Sequence, residues 1–357
     1  MSQHDASHTD VFGSEPNGRD SPADAVQARP SNVLEQTPPS KNRVLSGVKT
    51  TFDVTRKNAR RARYVSGRLM QGTEGRRRAR RLFALHLLRG EADSVAFHRD
   101  GVSWTIPVGD RIISKVLFET GGFQLDELQG LVGWLEANDS RWSDKDWILD
   151  VGANIGTSSI PLALETGRRV LALEPDPSNF GYLQTNVAAN DLENQVMCLQ
   201  VAISNRAGKV KMVVDPISSG STEMWEVGMP YPANALIDVD AKTLDDILRA
   251  QGISPNQVGL VWSDTQGFER QVIESGRSLW SAGTPLYVEV WPPGLSRHGG
   301  MDQLTQAMIE NFDTMIGSQE LANRRARAVS RPVREFEAHI RTQPATFSDV
   351  LLIPRRG

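Results

Sequence analysis

The strongest constraint in the chain is a short apolar run that ends in an acid and a glycine-bearing turn, Trp147-Ile-Leu-Asp150-Val151-Gly152-Ala153-Asn154-Ile155-Gly156. A run of that length and composition reads as a strand buried on both faces, handing over to a helix expected over residues 155–164. The pattern then repeats. Residues 169–173 read as a second strand. Residues 177–189 read as a second helix, with Asp176 as N-cap and Pro177 in the first turn, and residues 196–203 as a third strand. Residues 209–214 and 236–239 suit an inserted ribbon, residues 243–250 a capped helix, and residues 260–263, 286–290 and 350–353 further strands. Such alternation predicts an α/β fold, a Rossmann-like sheet with helices on both faces.

Charge and composition divide the rest. The chain has 357 residues, and at 39% hydrophobic it is somewhat apolar-poor for a wholly globular protein. Residues 1–45, rich in Ser, Asp, Pro and Gln, are expected to form a disordered tail. Residues 46–92 read as a basic, helical arm. Within it, residues 56–81 hold eleven Arg or Lys and the single acid Glu74, a local charge of +10 in a chain of net charge −3. Such a block attracts an anionic surface or polymer, whether nucleic acid, acidic lipid or polysaccharide; a solvated arm without a ligand is the plainer alternative. The apolar run from Leu82 to Leu88 either docks this helix on the body or forms an amphipathic surface anchor.

Residues 93–357 are read as the globular body, a cap of residues 93–140 on a core of residues 141–357. The cap opens with two strand-like runs around Asp100-Gly101, a hairpin signal, followed by helical spacing of Leu125, Leu128, Leu131, Val132 and Leu135. No run of 18 apolar residues exists, so no transmembrane segment is expected, and the first residues lack the pattern of a secretory signal. The single cysteine, Cys198, excludes an intramolecular disulfide. It points to a reducing, cytoplasmic setting, with peripheral membrane attachment left open.

The turn after the first core strand is the candidate ligand site. Gly152 and Gly156 would let a ligand approach the backbone, and no Lys or Arg occurs from Asp150 to Glu165. The turn is neither G-x-G-x-x-G nor a P-loop, and it begins with an acid, which suits a cationic ligand better than a phosphate-rich one. Glu174 stands 24 residues after Asp150 at the end of the second strand, where an acid accepts hydrogen bonds from a ribose. Singly, such a turn is ordinary packing and such an acid a helix cap. Together they describe a pocket for an adenosine bearing a cation. S-adenosylmethionine fits, and a dinucleotide is the other reading.

Several further segments resemble the FkbM family of S-adenosylmethionine-dependent methyltransferases. They are Ile148 to Gly156, Ala172-Leu-Glu-Pro-Asp-Pro-Ser-Asn-Phe180, Asn186 to Asn190, Val201-Ala-Ile-Ser-Asn-Arg-Ala-Gly208, Lys242 to Leu248, Ser263-Asp-Thr-Gln-Gly-Phe-Glu269 and Tyr287-Val-Glu-Val-Trp-Pro292. The resemblance covers about residues 94–353. It implies the class I methyltransferase fold, a seven-stranded sheet whose last strand is antiparallel. It also implies S-adenosylmethionine as cofactor and O-methylation of a hydroxyl on a glycan or natural product. The cofactor residues it implies are Asp150, Gly152, Ala153, Asn154, Gly156, Glu174, Pro175 and Ala202. Where many relatives carry Asp-x-Glu-Gly, this chain has Asp264-Thr265-Gln266-Gly267. A glutamine cannot act as a base.

Methyl transfer is an in-line displacement that needs alignment, exclusion of water and, for a hydroxyl nucleophile, a base. The candidate bases are Asp264 and Glu289, both expected at strand ends on one rim, and His298 on a glycine-rich loop; for Asp264 the resemblance implies instead a residue that holds or orients cofactor or substrate. Glu269 is expected to satisfy backbone donors, and Cys198 to be a small buried hydrophobe. The Ser218–Thr222 loop is a possible lid, and Trp225, Tyr231 and Trp291 a possible aromatic wall. No cluster has metal-ligand spacing, so no required metal is expected. Two other functions remain open: a nucleic-acid methyltransferase or binder using the basic arm, and a non-catalytic interaction protein on the same fold.

Overall fold

The computed structural model describes residues 72–213, 223–225, 236–296, 298–323, 328–342 and 348–355. The expected N-terminal tail and the first part of the basic arm, through residue 71, lie outside the described residues, as do the Ser218–Thr222 loop and Tyr231. A helix, Gly72–Leu88, leads into a hairpin of β1 (Ser94–Arg99) and β2 (Val102–Pro107). Asp100 (φ 51°) and Gly101 (φ 82°) are both left-handed, the geometry a two-residue hairpin turn requires. Two helices follow, Ile113–Thr120 and Leu125–Asn138.

Then come β3 (Trp147–Val151), β4 (Arg169–Leu173) and β5 (Val196–Leu199), separated by the helices Ser159–Thr166 and Pro177–Ala188. The short strands β6 (Ala202–Ile203), β7 (Gly208–Val213), β8 (Glu223–Trp225) and β9 (Leu236–Lys242) form a separate sheet in the order β6-β9-β7-β8. The chain re-enters the main sheet as β10 (Val258–Ser263), β11 (Leu286–Val290), β12 (Phe312–Gly317), β13 (Arg331–Pro332) and β14 (Ser348–Pro354). The main sheet runs β13-β12-β14-β11-β10-β3-β4-β5, with β14 antiparallel to both its neighbours.

The sheet therefore has eight described strands where seven were expected. The extra one is β13, two residues that pair with the edge of β12. The run expected as one strand over residues 196–203 is also divided. Its first half pairs with β4 and its second half with β9, so the chain passes from one sheet to the other around the exposed Gln200.

Both faces of the central strands are covered, and successive side chains alternate between them. Along β3, Leu149 and Val151 join one apolar cluster and Ile148 the other, and no residue of β3 or β10 reaches the surface. The strand order reverses at β3, which lies between β4 and β10. The hairpin is fixed to this body by two amides. Asn186, on the helix Pro177–Ala188, accepts from the Thr105 amide (2.6 Å) and donates to the Thr105 carbonyl (3.1 Å) and the Ile155 carbonyl (2.8 Å). Asn190 does the same for both backbone groups of Ser103, at 2.8 Å each.

Candidate functional site

At the carboxyl ends of β3, β4 and β10 lies an open cleft, the position at which open α/β sheets bind ligands. Its floor is the turn after β3. The helix expected from Ile155 begins only at Ser159, because Asn154 (φ 51°) and Gly156 (φ 96°) are left-handed and cannot continue an α-helix. Glu174, 4% exposed, follows β4 and holds the turn in place. One carboxyl oxygen accepts from the Asn154 amide and the other from the Asp176 amide, both at 2.8 Å. Burial pushes its carboxyl up to about 8. The Asp176 carboxyl caps the next helix by accepting from the Ser178 and Asn179 amides at 2.8 and 3.0 Å.

Of the residues singled out in the sequence, Gly152, Asn154, Glu174, Pro175, Ala202 and Asp264 line the cleft, and Asp150, Ala153, Gly156, Glu289 and His298 do not. Asp150 is wholly buried. One of its oxygens accepts from the Ser158 hydroxyl at 2.7 Å and from the Ser159 hydroxyl, while the other has no hydrogen-bond partner. Burial, opposed by the two serines, pushes it up to about 6. The glycines also differ from expectation. A Cβ on Gly152 (φ 86°) would stand 1.9 Å from the Asp264 carbonyl oxygen, and one on Gly156 would meet Ile160 and Leu183. Their missing side chains make room for the protein itself. At Gly152 that room lets β3 and β10 converge under the cleft.

Asp264 follows β10 and belongs to a chain of half-buried acids assembled by strand register. Ser263 pairs with Val288, so Asp264 stands beside Glu289, and Glu289 in turn pairs with Asp349 of β14. Asp264 and Glu289 are hydrogen-bonded to each other. The Gln266 amide nitrogen donates to both, at 2.9 Å to Asp264 Oδ1 and 3.0 Å to Glu289 Oε1. Burial pushes both carboxyls up; the Asp264 charge and hydrogen bond raise Glu289 further, whereas the same hydrogen bond and that from Gln266 pull Asp264 back down. Two carboxyls in this contact titrate as a pair and not independently. Behind them, burial and the neighbouring Glu127 push Asp349 up to about 8, and Tyr287 donates to Glu127 at 3.4 Å.

His298 is not an accessible loop base: it is 3% exposed and its ring packs 4.2 Å from that of Phe268, which lines the cleft. Glu269 accepts from the Gly267 and Trp291 amides at 3.0 and 3.3 Å, a backbone-satisfying role. Burial pushes Cys198 up to about 11, so its thiol stays neutral.

Sequence reasoning missed Gln266 as a bridge and missed Ile113, Phe123 and Gln124, which bring the segment before β3 onto the cleft. One backbone signal marks the site independently. Five described non-glycine residues have positive φ, and three of them, Gln124, Asn154 and Gln266, line the cleft. Such conformations concentrate at functional sites.

Residues 150–313 match the Methyltransferase FkbM domain. The methyltransferase sdnD of Sordaria araneosa is 26% identical over 197 residues, covering 46% of this chain and 72% of that protein. The 2-O-methyltransferase NoeI of Sinorhizobium fredii (strain NBRC 101917 / NGR234) is 27% identical over 156 residues, 40% of this chain and 62% of that protein. Among solved structures, P. horikoshii TYW2 in complex with MeSAdo aligns over 78% of this chain and 82% of its own, at 14% identity and a TM-score of 0.38.

Proposed function

From the premise that this chain is an S-adenosylmethionine-dependent methyltransferase of the FkbM family, we propose that it methylates a hydroxyl group, with the Asp264–Glu289 pair as base. The observation that carries the reading is the bridged acid pair at the cleft, one member lining it and the other half-buried beside it. The name of the relative NoeI, a 2-O-methyltransferase, supports a hydroxyl oxygen as acceptor.

The residues present fit the cofactor. The Glu174 carboxyl accepts from two backbone amides and from the Asn179 side chain, leaving acceptor capacity for a ribose hydroxyl. Val201, Ile203 and Met212 offer apolar walls to a flat ring, and the buried Thr265 hydroxyl, on the cleft wall, lacks a hydrogen-bond partner. When bound, the cofactor supplies a methyl group activated by a sulfonium. The chain's own contribution is position and proton transfer. Ile113, Phe123 and Trp262 line the cleft with apolar surface that excludes water. With one of its two carboxyls ionised, the acid pair takes the hydroxyl proton as the new carbon–oxygen bond forms. Gln266 holds both carboxyls in place without competing for that proton.

The test is a labelled-methyl assay against a panel of glycans and hydroxylated natural products, with the product's methyl position read by mass spectrometry. Label on oxygen is expected. Glu289→Gln should lower transfer roughly 10²-fold or more while leaving cofactor binding, measured by calorimetry, nearly unchanged. Label on nitrogen or carbon, or full activity in Glu289→Gln, contradicts the proposal.

A further inference from the structure

The helix Gly72–Leu88 is held on the body by one side. Ala79 and Leu85 are buried, Leu88 packs against the core, and the Arg81 guanidinium donates to the Glu119 carbonyl at 2.8 Å. The opposite side is open. Arg76, Arg80, Phe83 and Leu87 recur at intervals of four, three and four residues, which places them in one stripe. All four are exposed, Phe83 by 52% and Leu87 by 59%. The stripe is divided along its length of about 16 Å, with arginines in the first half and large apolar side chains in the second. Arg77 and Arg78 flank the basic half and are also exposed, at 3.9 and 3.6 Å from the single acid Glu74. The sixteen residues before the helix add six Arg or Lys and no acid.

Neither half explains the other on an ordinary partner. A polyanion in water calls for the arginines but leaves Phe83 and Leu87 exposed. An apolar protein groove calls for Phe83 and Leu87 but has no use for so dense a positive charge. A surface with phosphates outside and hydrocarbon just beneath matches both halves in the order they occur. We infer that the helix Gly72–Leu88 docks on an anionic lipid bilayer, with Arg76 and Arg80 at the headgroups and Phe83 and Leu87 inserted at the acyl boundary. Charge complementarity selects the anionic bilayer, and the exposed apolar pair selects a bilayer over other anions. No helix among the described residues is long and apolar enough to cross a membrane.

The test uses the full chain and co-sedimentation with two kinds of vesicle, phosphatidylcholine alone and phosphatidylcholine mixed with phosphatidylglycerol. Binding to the mixed vesicles is expected, with little to the neutral ones, and added salt should weaken it without abolishing it. Phe83→Ser with Leu87→Ser should lower partitioning about tenfold or more, and Arg76→Glu with Arg80→Glu should do likewise. Melting midpoints and S-adenosylmethionine affinity of both double variants should match the parent, because these side chains are exposed and outside the cleft lining. Absence of binding to the mixed vesicles overturns the inference, as does unchanged binding by the Phe83/Leu87 variant. Binding to poly(U) RNA that exceeds vesicle binding and survives loss of Phe83 and Leu87 would assign the stripe to nucleic acid. Self-association that disappears in that variant, without vesicle binding, would assign it to a second copy of the chain.

Discussion

A methyl group added at Gly152 has nowhere to go. It would meet the Asp264 carbonyl at 1.9 Å, on a backbone whose φ of 86° already disfavours any side chain. Gly152→Ala should therefore cost about 3 kcal/mol or more of stability, visible as a lower urea midpoint with unchanged slope. Glu174 can be tested through binding. Ribose hydroxyls favour the ionised carboxylate, whereas burial holds this carboxyl up at about 8. Cofactor affinity should thus rise with pH, by up to about tenfold per unit below that value, and flatten above it. Glu174→Gln should weaken binding about tenfold or more and remove this dependence, both read by calorimetry. The place of Glu174 at the end of β4, on the cleft, was legible in the sequence because the strand pattern announces where the strand stops. His298 was misread because residue type and a glycine-rich setting say nothing about which ring covers it, here Phe268. Gln266 was noticed only as an absent acid. Its bridge depends on Glu289, 23 residues away on another strand.

At the scale of elements, caps and turns carried most of the readable information. The Asp176-Pro177 start of one helix and the Thr243 start of another are present, and the Thr243 hydroxyl accepts from the Asp246 amide at 3.0 Å. The late start of the helix after β3 was not readable, since Asn154 shows its left-handed backbone only once Glu174 has taken its amide. Asn186 and Asn190 were visible as a motif segment, but their work was not, because their partners on the hairpin lie more than eighty residues earlier. Removing the Asn186 amide strands the Thr105 amide, the Thr105 carbonyl and the Ile155 carbonyl. Asn186→Ala should cost about 2 to 3 kcal/mol by urea unfolding, and Asn190→Ala, on more exposed partners, about 1 kcal/mol.

For the whole molecule, buried acids dominate the expected response to pH. Asp150, Glu269, Glu174 and Asp349 are pushed up to about 6, 7, 8 and 8, chiefly by burial. Between the unfolded carboxyl range and these values the native protein holds protons that the unfolded chain has released. Stability must then fall as pH rises through that window, by several kcal/mol in order of magnitude. The cofactor-free protein should melt higher near pH 5.5 than near pH 8.5, and Glu269→Gln should flatten the slope; a midpoint that rises with pH would contradict this assignment. The alternation of strand and helix made the α/β sheet legible from residue 147 onward. The two-residue β13 and the division of residues 196–203 between sheets were not legible, since pairing partners rather than local pattern decide them. One consequence of the two asparagines reaches beyond stability. The outward peptide groups of Ser103 and Thr105 on β2 are already saturated by side chains. No free ladder is offered there to a stray strand, and a chain stripped of both amides would acquire a template for aggregation that the intact protein lacks.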